Sequence, residues 1–130
     1  MTHQVADARP VVLVIDEHED SRIILRAILE HGCFDVVEAD DPRLAVSLAR
    51  EVGPVAMIIE LDMRQLTGVE TLMLIRLDHG LQLCPIIASA SYERAEQALA
   101  SGFQAFAAKP FNITALLDEL RTLTAPPLDG

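Results

Sequence analysis

Ionisable residues close three of the short apolar runs in this sequence: Asp16 and Glu17 follow VVLVI, Glu60 follows VAMII, and Lys109 follows AFAA. Another run, opening at Pro85, ends in Ser89-Ala90-Ser91. Carboxylates brought together at one edge repel one another until a cation relieves them. The ammonium of Lys109 can do so, and so can a hard divalent ion held by oxygen ligands. Two adjacent acids directly after a buried run read as a site rather than as ordinary loop carboxylates. Glu60 has three readings: a reactive group, a stand-in for one, or the solvated first residue of the polar loop that runs to Gly68.

Convergence of these ends requires that the runs be neighbouring strands of one sheet. Val11 to Ile15 is β-branched and leucine throughout, as suits a strand covered on both faces. Ser21 to Glu30 then carries Ile24, Leu25, Ile28 and Leu29 on one helical stripe, with Gly32 as its C-cap. A weaker strand spans Val36 to Ala39. Asp41 before Pro42 reads as an N-cap, opening a helix that buries Leu44, Ala45, Leu48, Ala49 and Val52 before Gly53 and Pro54. Strands come next over Val55 to Glu60, Pro85 to Ser89 and Ala105 to Ala108, with helices over Gly68 to Leu77 and Tyr92 to Ser101. The last helix starts at the N-cap Asn112 and buries Ile113, Leu116, Leu117 and Leu120. Five strand–helix units with right-handed crossovers make a parallel α/β sheet between two helical layers, in which sites collect at the carboxyl ends of the strands.

A chain of 130 residues, 51% apolar and 23% charged, suits a single folded domain with its own core. Its net charge of -10 opposes direct binding to nucleic acid or to anionic lipid and favours protein or cation partners. The opening MTHQVADARP has no signal-peptide core and no run approaches the roughly 20 residues of a membrane span, so the expected location is the cytoplasm. Cys33 and Cys84 lack ligand spacing and read as reduced packing residues. His18 reads as an exposed loop residue beside the acids, and His3, His31 and His79 show no ligand spacing. The expected organisation is a disordered arm over 1–10, a domain over 11–123 and a linker-like tail over 124–130.

From Val11 to Leu123 the chain resembles a response regulator receiver domain, the phosphorylation-controlled module of two-component signalling. The residues that carry the resemblance are Asp16-Glu17 after the first strand, Glu60 eight before Gly68, and Lys109-Pro110-Phe111 after the fifth strand with Gly102 seven before the lysine. The resemblance implies a flavodoxin-like three-layer (βα)5 sandwich with sheet order 2-1-3-4-5. It also implies magnesium held by Asp16, Glu17, Glu60 and the backbone of Asp62, phosphoryl transfer from a histidine kinase, and a cis bond before Pro110. Phe106 matches an aromatic that toggles between inward and outward rotamers in the family; a static core phenylalanine is the alternative.

The chain also departs from the family's pattern. Glu60 stands at the phosphoacceptor position, usually aspartate, and lengthens the carboxylate by about 1.5 Å where in-line transfer depends on position at that scale. Ala90 stands where the family has a threonine or serine hydroxyl, while Ser89 and Ser91 point to the opposite strand face. The segment from there to Gly102 is roughly one helical turn short. The expected function is therefore a receiver-like, non-enzymatic signalling domain. Glu60 meets Lys109, phosphate and magnesium become dispensable, and output runs through contacts with a kinase, an output domain or a second copy. The apolar helix VETLMLIRL offers a surface for such contacts. The alternatives are a receiver still competent for phosphoryl transfer and a haloacid-dehalogenase-like phosphohydrolase, suggested by Glu60-Leu61-Asp62.

Overall fold

The computed structural model describes residues 8–125; the expected arm over 1–10 and tail over 124–130 fall mostly outside them, as does His3. Strands β1 (Val11–Ile15), β2 (Asp35–Ala39), β3 (Ala56–Glu60), β4 (Ile86–Ser91) and β5 (Ala105–Lys109) alternate with helices α1 (Glu19–His31), α2 (Ala45–Val52), α3 (Gly68–Arg76), α4 (Ala95–Ser101) and α5 (Ile113–Thr124). All strand pairs are parallel and the order is β2-β1-β3-β4-β5, the expected flavodoxin-like sandwich.

Strand alternation sorts the side chains into two cores. Leu13, Ile15, Met57, Ile59, Ile86, Ala88 and Ala90 meet α2, α3 and α4 through Ala45, Ala49, Leu72, Ile75 and Ala98. On the other face Val12, Val14, Ala56, Ile58, Ile87, Ala105 and Ala107 meet α1 and α5 through Leu25, Ile28, Leu29, Leu116, Leu117 and Leu120.

Several boundaries differ from the sequence expectation. The helices expected at Asp41 and Tyr92 both open with a 3-10 turn, Pro42–Leu44 and Tyr92–Arg94. The tighter winding and the early position in the helix turn Leu44 outward to 48% exposure. Ile113, in the first turn of α5, is also exposed rather than buried. Gly32 is the C-cap of α1, as expected, and the left-handed residue is the next one, Cys33, at φ 69°. Strand β4 runs on through Ser91, so all three residues Ser89-Ala90-Ser91 belong to the sheet.

Two polar devices fix α3. At its start Thr67 Oγ1 accepts from the Glu70 amide at 3.1 Å while Glu70 Oε1 accepts from the Thr67 amide at 2.9 Å, a capping box. Thr67→Ala is expected to lower the unfolding free energy by about 1 kcal/mol, read from urea denaturation. At its end the Arg76 guanidinium donates to the carbonyls of Leu81, Gln82 and Cys84 and to Gln104 Oε1, which also receives the Ile86 amide. Burial lowers the pKa of this guanidinium from its ordinary value. Leu72 and Ile75 of α3 are buried, whereas Met73, Leu74 and Leu77 are exposed.

Candidate functional site

The carboxyl ends of β1, β3 and β5 place Asp16, Glu60 and Lys109 in one buried cluster. Asp16 is 0% and Glu60 3% exposed, so the solvated-loop reading of Glu60 does not hold. The Lys109 ammonium donates to Asp16 Oδ2 at 3.3 Å and to Glu60 Oε1, and lies 6.0 Å from the centre of the Phe111 ring. A charge buried in this way is tolerated only when paired and hydrogen-bonded, and here both acids share one cation.

Each carboxylate is also held by the backbone just beyond it. Asp16 Oδ1 accepts from the His18 amide at 2.8 Å, and Glu60 Oε2 accepts from the Asp62 amide at 2.8 Å. Both acids therefore use one oxygen on an amide two residues ahead and the other on Lys109. Behind them Arg22 donates to the Asp16 carbonyl at 2.8 Å and to Glu38 of β2 at 3.2 Å, anchoring the end of β1 from the neighbouring strand. The Lys109–Pro110 bond is cis, as the family resemblance implied.

Glu17 does not join the cluster. Its carboxylate accepts from the Arg64 amide at 3.2 Å and lies 3.5 Å from the Arg64 guanidinium. His18 is an exposed loop residue, as expected, and its Nδ1 also reaches Asp16 Oδ1 at 2.9 Å. Asp16, His18 and Glu60 each offer one ligand atom, and these atoms lie within 4.8 Å of one another. The donor set thus fits a divalent cation, although its third member differs from the expected one. The side chain of Asp62 is exposed and pairs with Arg94 at 2.5 Å. These two arginine–carboxylate pairs and His18 line an open cavity of about 820 Å³ beside the cluster.

At β4, Ser89 is the register partner of Glu60, and Ala90 lies one residue further on. Ala90 is buried in the core that carries Ala88, with half-buried Phe106 packed against that core. Ser91 is exposed and donates to Glu93 at 2.9 Å. Ser89 is fully buried, and its hydroxyl has no hydrogen-bond partner among the described residues.

Comparison with known proteins gives a consistent picture. A family model described as response regulator receiver domain matches residues 12–121. The transcriptional regulatory protein PrrA of Mycobacterium tuberculosis is 29% identical over 115 residues, covering 88% of this chain and 49% of that protein. The chain thus spans about half the length of that relative. The chemotaxis protein CheY4 of Vibrio cholerae superposes with a TM-score of 0.79 at 26% identity, over 89% of this chain and 99% of the other. The receiver domain of sensor histidine kinase PA1611 from Pseudomonas aeruginosa, described with a magnesium ion coordinated in its active-site cleft, reaches a TM-score of 0.84 at 22% identity, covering 92% of this chain and 100% of that domain. Among the described residues no helix is long and apolar enough to cross a membrane.

Proposed function

Given that this chain belongs to the response regulator receiver domain family of two-component signalling, we propose that it is a phosphorylation-independent member of it, held in one conformation by the Glu60–Lys109 ion pair. The observation that carries this reading is that both oxygens of the buried Glu60 carboxylate are engaged, Oε1 by Lys109 and Oε2 by the Asp62 amide. A phosphoryl group brings about -1.5 to -2 charge to an acceptor; glutamate supplies -1 in its place, set against the lysine that Asp16 also contacts. The alanine at 90 supports the same reading, since it has no hydroxyl to meet a phosphoryl oxygen.

The proposed unit is 11–123, and it signals through protein contacts without enzymatic turnover. Its partner is a kinase, an output domain or a second copy, met through the exposed row Met73, Leu74, Leu77 and Leu83. Magnesium, as in the PA1611 domain, would be held by Asp16, Glu60 and the Asp62 carbonyl, supplying charge neutralisation at the cluster.

The test is incubation of the full chain with radiolabelled acetyl phosphate and magnesium, alongside beryllofluoride titration followed by NMR. No label is expected on the wild-type chain, and the Phe106 and Lys109 resonances should stay in place. Label that disappears in Glu60→Gln would establish the phosphorylation-competent alternative instead.

A further inference from the structure

Exposed apolar side chains gather into a row on α3. Leu77 lies three and four residues after Leu74 and Met73, on one stripe of the helix, and Leu83 follows in the loop to β4. We propose that this row is the interface of a symmetric dimer, in which α3 of one copy packs against α3 of a second copy. The inference rests on the reading that output passes through this row without phosphorylation.

The row is held ready for a partner. Leu83 is 94% exposed yet fixed in place, because the carbonyls of Gln82 before it and Cys84 after it both accept from the Arg76 guanidinium, at 3.1 and 3.0 Å. An apolar anchor fixed before binding loses little conformational freedom when it is covered. Leu77, 75% exposed, directly follows that arginine at the end of α3. On its inner side the same helix is seated in the core by Leu72 and Ile75, so the outer stripe stands on a rigid base.

Charge selects the occupant. Residues 68–85, which are α3 and the loop to β4, and residues 41–52, which are the neighbouring α2 with its opening turn, together carry four acidic and three basic residues. Their formal charge is -1 in a chain of -10. Asp41 and Asp78 are paired with Arg43 and Arg50, and Glu70 is engaged in the capping box. Nearly all of the net charge therefore lies on the rest of the chain. Two copies that meet through this face turn their acidic surfaces away from each other, and a charge-poor patch has the composition of an interface core. A basic partner would settle on the acidic surfaces instead. Other exposed apolar side chains sit among acids: Ile23 and Ile24 follow Glu19 and Asp20 on α1, and Leu99 follows Glu96 on α4. One patch shared by two identical chains closes about a two-fold axis, which gives a dimer rather than a filament.

The experiment follows the mass of the full chain by sedimentation velocity from micromolar to millimolar concentration. A monomer–dimer equilibrium is expected, and it should tighten as salt rises, because salt screens the repulsion between two acidic chains. Leu77→Glu and Leu83→Glu should each weaken dimerisation roughly 10–100-fold. Both side chains are exposed, and an unaltered melting temperature, measured where the wild-type chain is monomeric, will show that the variants fold. Leu99→Glu and Ile113→Glu, exposed on α4 and α5, should leave the dimer as it is. The proposal is overturned by a chain that stays monomeric at millimolar concentration, which leaves the row to a different protein. It is equally overturned by a dimer that survives both glutamates on the row, by one lost in Leu99→Glu or Ile113→Glu, or by one that weakens as salt rises. The same series with radiolabelled acetyl phosphate and magnesium should give an unchanged equilibrium. A dimer that forms only on uptake of label and is lost in Leu83→Glu defeats the phosphorylation-independent reading and leaves the interface standing. A chain that takes no label and stays monomeric defeats the interface alone.

Discussion

Lys109→Met is expected to lower the unfolding free energy by about 3–5 kcal/mol, the cost of leaving buried charges without their partner. Asp16 and Glu60 are essentially inaccessible to water, and Lys109 is the one cation that contacts both among the described residues. Methionine keeps most of the lysine's apolar length, so the loss reports the missing charge rather than a cavity. The second arm is the double variant Glu60→Gln/Lys109→Met. Removing one of the two facing charges as well should restore part of the stability, so that the double variant unfolds at higher urea than Lys109→Met alone. A single variant within about 1 kcal/mol of wild type, or effects of the two substitutions that simply add, would mean that the ion pair does not hold the site together.

Gly68→Ala should be nearly as damaging, at about 2–3 kcal/mol, although the residue has no side chain of its own. A β-carbon at this position would sit 2.5 Å from the Glu60 carbonyl oxygen and 2.8 Å from the Leu61 α-carbon. Both are backbone atoms, so no side-chain rotation relieves the overlap. Either the first turn of α3 retreats or the end of β3 shifts, and the second response carries the Glu60 carboxylate away from Lys109. The expected signature is therefore a stability loss joined to altered Lys109 side-chain resonances. Gly53→Ala is the matched control: nothing lies within 4 Å of the added carbon, and only the left-handed backbone at φ 57° is strained, at about 1 kcal/mol. If the two substitutions cost the same, close backbone approach is not what position 68 requires.

The sheet was legible because buried parallel strands are written as unbroken apolar runs. The residue that ends each run is then placed by topology alone, which is why Asp16, Glu60 and Lys109 could be grouped from spacing. That rule stops at the strand end. Glu17 and His18 lie where the chain leaves the sheet, and their directions depend on a turn in which the Asp16 carboxylate captures the amide of residue 18. The spacing of an aspartate to the amide two residues on is a local signal that could have pointed to His18. Nothing in the sequence indicated that Arg64, 47 positions away, would claim Glu17. The outward turn of Leu44 was hidden for a different reason: helical periodicity assumes 3.6 residues per turn, and Pro42–Leu44 winds more tightly. The bare hydroxyl of Ser89 is a property of its surroundings, and a single sequence does not display those.

The guanidinium of Arg76 sets the mechanical character of the molecule. By gripping three carbonyls ahead of β4 and the side chain just ahead of β5, it welds the amino-terminal pole of the sheet to the end of α3. The charged cluster closes the opposite rim of the same strands, so the sheet is pinned by one cationic side chain at each pole: a guanidinium at one, the ammonium of Lys109 at the other.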